Sequence, residues 1–190
     1  MINPTFIRAS VMASLLCTGF SASAQNAYMS LSVGLSSWNF SCTGTTSCDN
    51  RAPGMKFLGG YNLSDNLSIE GGYFSMSRTS ATFSPSKKSE YKANGFEVAA
   101  VGRLPMDDRW GLYAKLGLSA GRGTWYNINP MTKTQASSTS NSVQPLFGLG
   151  ATYKLNERLQ ARAEWDLRKV EIPGSKPQLN NFSLGVQYHF

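Results

Sequence analysis

Long hydrophobic runs are missing from this chain. No stretch reaches the roughly 20 apolar residues that carry a helix across a bilayer, so no membrane helix is expected. Histidine is nearly missing too, since His189 is the only one. A hydrolytic site built on histidine needs that imidazole beside a serine or carboxylate, as a base near neutral pH. A penultimate histidine reads instead as a polar residue at a strand edge, and no serine stands in a motif that would activate it. No catalytic residue, and hence no enzyme, is expected. Cysteine is scarce, with Cys17, Cys42 and Cys48 only. One distant histidine does not complete a metal centre, and neither a metal nor a cofactor is expected. Acidic residues are short as well, 11 against 18 basic ones for a net charge of +7. Such an excess would suit nucleic acid, but no binding fold or aromatic stacking platform comes with it, so nucleic acid is not an expected partner.

What is present begins with a leader. Residues 1–8 carry one positive charge, residues 9–20 are mostly apolar, and Ala22-Ser23-Ala24 supplies the small–x–small step of a signal-peptidase site. A signal peptide over 1–24 and one domain over 25–190 are expected. Leu16 stands where a small residue should precede a lipidated cysteine, so Cys17 leaves with the leader. Cys42 and Cys48 remain, close together in a polar loop of an exported chain, and a disulfide between them is expected.

The mature chain alternates. In 159–168 the odd positions are Leu159, Ala161, Ala163, Trp165 and Leu167; the even ones are Gln160, Arg162, Glu164, Asp166 and Arg168. Successive side chains of a strand point to opposite faces, so a strand sorts these charges where a helix would scatter them. The pattern recurs in 67–73, 96–104, 112–119, 147–155 and 180–190, and more weakly in 29–35 and 57–63, which makes eight strands. Connections 64–66, 106–109 and 156–158 are short. Those at 40–52, 77–93 and 126–141 are long, polar and read as loops, and 172–177 is intermediate with two prolines. An all-β, eight-stranded antiparallel up-and-down meander with its tight turns at one end has the architecture of a transmembrane outer-membrane barrel.

The polar face carries Glu70, Glu97, Arg103, Lys115, Lys154, Arg162, Glu164, Asp166 and Arg168, five basic and four acidic. Near-balance is what a closed, charge-paired lumen requires, because unpaired buried charge is costly. On the apolar face Trp110, Tyr153, Trp165 and Tyr188 stand near strand ends, as interfacial girdles do. An apolar face turned to water would aggregate. The apolar face is therefore expected to meet lipid, which excludes a secreted barrel around a greasy ligand.

The stretches "YNLSDNLSIEGGYF", "GLYAKLGLS", "PLFGLGATYKLNERLQARAEWDL" and "GVQYHF" resemble the transmembrane domain of the outer membrane protein A family over essentially all of 25–190. The resemblance implies a single-domain member without the periplasmic peptidoglycan-binding module. It implies that the last strand, with Tyr188 and Phe190, is read by the barrel-assembly machinery. It also implies a lumen gate with an acid on the third strand, a lysine on the fourth, a second acid on the sixth and an arginine on the seventh. Glu70 and Arg162 match, whereas Val101 and Thr152 occupy the other two positions. In place of partner exchange, Glu70 and Arg162 are therefore expected to pair with each other or with the nearest remaining charges, such as Glu164 and Lys115.

Eight strands enclose an interior about wide enough to be filled by its own side chains. The expected work is structural and surface-interactive: stabilising the envelope and presenting loops, in an adhesin-like way. A narrow porin-like pore is the alternative, and a lipid A-modifying enzyme comes behind it. Arg78, Lys87, Lys88 and Lys92 in the second long loop are the candidate anion-binding residues. Clustered lysines attract anions by their summed field. The partners expected are outer-membrane lipid and lipopolysaccharide, the assembly machinery, and a host or surface glycan.

Overall fold

The computed structural model describes residues 26–39, 46–84, 87–129, 131–132, 134–169 and 178–190. The expected leader, Cys42 and the 172–177 connection lie outside the described residues, as do the side chains of Cys48 and Lys87. The strands are β1 (Ala27–Asn39), β2 (Ser47–Asp49), β3 (Arg51–Asn62), β4 (Leu67–Ser84), β5 (Lys87–Pro105), β6 (Trp110–Asn129), β7 (Thr134–Lys154), β8 (Leu159–Lys169) and β9 (Gln178–His189). Each long strand pairs antiparallel with its chain neighbours, β4 also pairs with β5, and β1 pairs with β9. The result is a closed eight-stranded barrel, to which the three-residue β2 adds a short rung beside β4.

The tight turns at one end are set by side chains. The Asp107 carboxylate accepts the backbone N–H groups of Arg109 (2.7 Å) and Trp110 (2.6 Å), and the Asn156 carbonyl accepts those of Arg158 (2.9 Å) and Leu159 (2.8 Å). Asp and Asn hold turns by mimicking the backbone in this way. At the same end the Phe190 N–H donates to the Ala27 carbonyl at 3.2 Å, tying the last residue to β1.

At the other end the structure departs from the expected loops. Residues 77–93 and 126–141 are not loops: β4 and β5 continue as a hairpin to the Ser84↔Lys87 pair, and β6 and β7 continue to Asn129↔Thr134. Among the described residues of 126–141 none is buried, whereas the buried inward positions of 77–93, Thr79, Ala81, Ser89 and Ala93, are small or polar. The apolar–polar alternation therefore vanishes from the sequence while the ladder persists, interrupted only by the register shifts in β4 at Met76/Thr79 and Thr82/Ser84. A register shift between Met76 and Thr79 re-aims β4 as it leaves the barrel. The barrel wall is thus lopsided, with β4 to β7 of 18 to 21 residues against 11 to 13 for β1, β3, β8 and β9.

Inside and outside divide by parity. Leu116 is 69% exposed while its neighbour Lys115 is 1% exposed. That inversion of a soluble core is what a lipid-facing wall around a polar bore requires.

Candidate functional site

The lumen is crossed by a charged layer. Lys56 on β3 contacts both Glu164 and Asp166 on β8. Lys115 on β6 reaches Glu97 (3.0 Å), Glu164 (3.1 Å) and Asp166 (3.0 Å). Across the bore, Arg162 Nη1 donates to Glu70 Oε1 at 2.5 Å and Nη2 to Oε2 at 2.8 Å, and the same guanidinium contacts Glu164. Arg168 lies 2.8 Å from Glu97 and 3.1 Å from Asp166. Tyr28 and Tyr113 donate their hydroxyls to Glu70 and Glu164, each at 2.8 Å. Four cations thus meet four carboxylates, and none of the eight side chains is more than 2% exposed. Matched charges with bidentate geometry are the arrangement that offsets desolvation.

Backbone choice makes the room. A Cβ on Gly148 would lie 2.7 Å from Asp166 Oδ1, and one on Gly150 would lie 2.3 Å from the Tyr113 ring. Strand β7 yields its inward volume to Lys115 and Tyr113 on one side and to β8 on the other.

Seven of the nine expected lumen charges belong to this layer. Arg103 does not: it donates to Asn62 at 2.6 Å and lies over the Tyr28 ring at the turn end. Lys154 is exposed at the same rim. The last residues of each strand reach water there, so neither needs a carboxylate. Lys56 is the member that sequence reasoning missed. Inward Leu58 and Gly60 beside it blur the polar face of β3, and only the outward Met55 and Phe57 on either side could have flagged it.

The departure from the family's gate is resolved by neighbours. Val101 is buried and pairs in register with Lys115, so the cation comes from the adjacent strand. Thr152 pairs with Arg162, whose second acid is Glu164 on its own strand.

Above the charges lies carbon. Trp38, Phe74, Met76, Ala93 and Leu179 form a buried cluster, with Tyr91 packed against it. The Arg168 guanidinium sits 4.3 Å over the Phe74 ring and joins the two layers. This apolar cap was not expected, because Trp38 and Leu179 lie outside the alternating segments that sequence reasoning recognised.

On the projecting β4–β5 hairpin, Glu90 accepts Lys88 at 2.9 Å and Arg78 at 3.1 Å, and Arg78 lies 4.6 Å over Tyr126. The hydrogen bond from Lys88 holds the Glu90 carboxyl below the usual glutamate range, with a further hydrogen bond from Arg78 and against partial burial. Lys92, two residues further along β5, has no ion pair among the described residues. The candidate anion-binding residues Arg78, Lys88 and Lys92 therefore stand on the face of a sheet rather than along a loop. At the turn end, Tyr188 meets Phe190 edge-on at 5.4 Å and Trp110 meets Tyr153 at 4.8 Å, which places aromatics at the membrane boundary.

A model of the outer membrane protein beta-barrel domain matches residues 10–190. Among solved structures, Ail, the attachment invasion locus protein of Yersinia pestis, is similar at 17% identity and a TM-score of 0.57 over 87% of this chain and 99% of that one. It has also been solved with the heparin analogue sucrose octasulfate. Neisserial surface protein A is similar at 15% identity and a TM-score of 0.64, over 87% and 97% of the two chains. The N-terminal barrel domain of Pseudomonas aeruginosa OprF is similar at 17% identity and 0.57, over 87% and 98%. No curated protein sequence matches the chain. At these identities the likeness is one of fold.

Proposed function

The chain belongs to the outer membrane protein β-barrel family, a bacterial outer-membrane protein, and from that premise we propose that it acts as a closed wall element presenting a surface-binding sheet. The observation that carries this reading is the filled bore. A balanced layer of four cations and four carboxylates, capped by Trp38, Phe74, Met76 and Leu179, leaves the projecting hairpins as the part that meets the outside. On this reading the protein is neither a pore nor an enzyme. Tyr188 and Phe190 serve as the signal to the assembly machinery.

The partner class is an anionic glycan. Arg78, Lys88 and Lys92 share one hairpin face with a single acid, Glu90, and the structural relative Ail carries a heparin analogue in its complex. Attraction by clustered cations weakens with salt. Protein refolded into phosphatidylcholine vesicles should bind heparin at low salt and release it as salt rises. The variant Lys87→Ala/Lys88→Ala/Lys92→Ala should bind far less. Binding that ignores both salt and these substitutions would overturn the reading. Discrete conductance of the wild type in planar bilayers would favour the pore instead.

A further inference from the structure

The outer wall holds an amphipathic groove that the glycan reading does not use. At the upper edge of the lipid belt, Tyr73, Phe96, Ala120 and Val143 lie side by side on β4, β5, β6 and β7. All four point outward. Phe96 and Val143 are 66% and 64% exposed, and the small Ala120 between them leaves an indentation. The groove so formed is of about 480 Å³, and Asn94, Arg122 and Asn141 line its upper end.

One row above the apolar floor, Asn94, Arg122 and Asn141 are direct cross-strand partners. Arg122 Nε donates to Asn141 Oδ1 at 3.1 Å, which steadies the guanidinium and leaves its terminal N–H groups without a partner among the described residues. Lys92 stands one row higher on β5, roughly 7 Å along the strand from Asn94. Neither cation has a carboxylate partner among the described residues. Two unneutralised cations and two amides thus sit directly over an apolar slot, at the end of the barrel opposite the tight turns.

We propose that Arg122 and Lys92, with the slot below them, bind one molecule of the outer leaflet's phosphorylated glycolipid, lipid A. A phosphate would lie between the two cations and an acyl chain would lie in the slot over Ala120. Charge complementarity selects the headgroup, and continuity of the cationic row with the apolar floor selects a molecule that has both parts. A soluble anion would use only the upper half, and an uncharged lipid only the lower.

Native mass spectrometry of the refolded protein titrated with purified bisphosphorylated lipid A tests this, with heat-modifiable gel mobility reporting folding of every variant. Each cation near an anionic headgroup contributes about fivefold in affinity, so Arg122→Gln should weaken binding about fivefold and Arg122→Gln/Lys92→Gln about 25-fold. Fully dephosphorylated lipid A should bind the wild type as weakly as lipid A binds the double variant. Ala120→Trp, which fills the slot, should weaken lipid A binding without changing retention of inorganic phosphate. Equal binding of lipid A by the wild type and the double variant would overturn the proposal. So would equal affinity for the dephosphorylated lipid, or an Ala120→Trp variant that binds as the wild type does. Lys92 is shared with the heparin reading and Arg122 is not, so Arg122→Gln separates failure of one from failure of the other.

Discussion

Replacing Arg162 tests whether the lumen is a solid bolt. Glu70 receives two hydrogen bonds from Arg162 and one from Tyr28. Arg162→Met removes the first two and leaves Glu70 with the tyrosine alone, whereas Glu164 keeps Lys56 and Lys115. The damage therefore falls on one carboxylate. Breaking a buried pair from one side costs about 3–5 kcal/mol. Glu70→Gln does less harm, because Arg162 still holds Glu164 and Gln187; losing a charged hydrogen bond costs about 1.5–3 kcal/mol. The layer holds four charges of each sign, so the double variant returns to balance with three of each (4 − 1 = 3 on both sides). Its cost should fall short of the sum of the singles by about 1–3 kcal/mol, as for residues in one network. Urea unfolding from phosphatidylcholine vesicles, followed by tryptophan fluorescence, measures all three variants. Additivity within about 0.5 kcal/mol would refute the reasoning, because it would mean that water separates the two side chains.

Two further outcomes are expected. Cys42 and Cys48 should be protected from thiol labelling in the unreduced exported protein, and reduction should loosen the segment they close without unfolding the barrel; stoichiometric labelling of both would sink the pairing. Glu90 titrates lower in the folded protein than in the unfolded chain, so its contribution is complete above the ordinary glutamate value and lost as pH falls through the folded one. Amide exchange at the outer ends of β4 and β5, corrected for its intrinsic rate, should quicken below about pH 4 and stay level between about pH 6 and 8. A flat profile through the acid range would remove Glu90 from the account.

The sequence was most legible where one face met lipid and the other met charge. Strand β8 is the clearest case, since every inward position from Arg162 to Arg168 is charged and every outward one apolar. Legibility failed wherever the two faces resembled each other. In 126–141 no described residue is buried, and in 77–93 the buried positions Thr79, Ala81, Ser89 and Ala93 are small or polar, so the two faces differ too little in polarity and the segments read as loops. Inside the outer half of the bore, Phe74 and Met76 are apolar and inward, and so break the polar pattern that begins with Ser68 and Glu70 on the same strand. Pairing across the barrel was out of reach of periodicity altogether. Lys56 meets residues 108 and 110 positions away, a contact that only closure of the sheet brings about. The Glu70–Arg162 contact was legible because the resemblance to a known gate supplied the missing third dimension.

The long ladders of β4 to β7 bear on how this surface can change. An outward region built from loops can gain or lose residues almost anywhere. Here most residues of the projecting hairpins are opposed by a partner, as Lys88 is by Ile128 and Thr124 by Thr139, with register shifts in β4 alone, at Met76/Thr79 and Thr82/Ser84. Losing one residue from a single strand would slide every pair beyond it and turn each side chain to the other face. Substitution on the outward face is cheap, while length can vary only at the hairpin tips, in matched pairs or at a bulge such as the one between Met76 and Thr79. The same rungs withhold backbone amides from proteases, which cleave chain that has opened locally. The exterior can therefore be rewritten letter by letter in a hostile medium while its outline stays fixed.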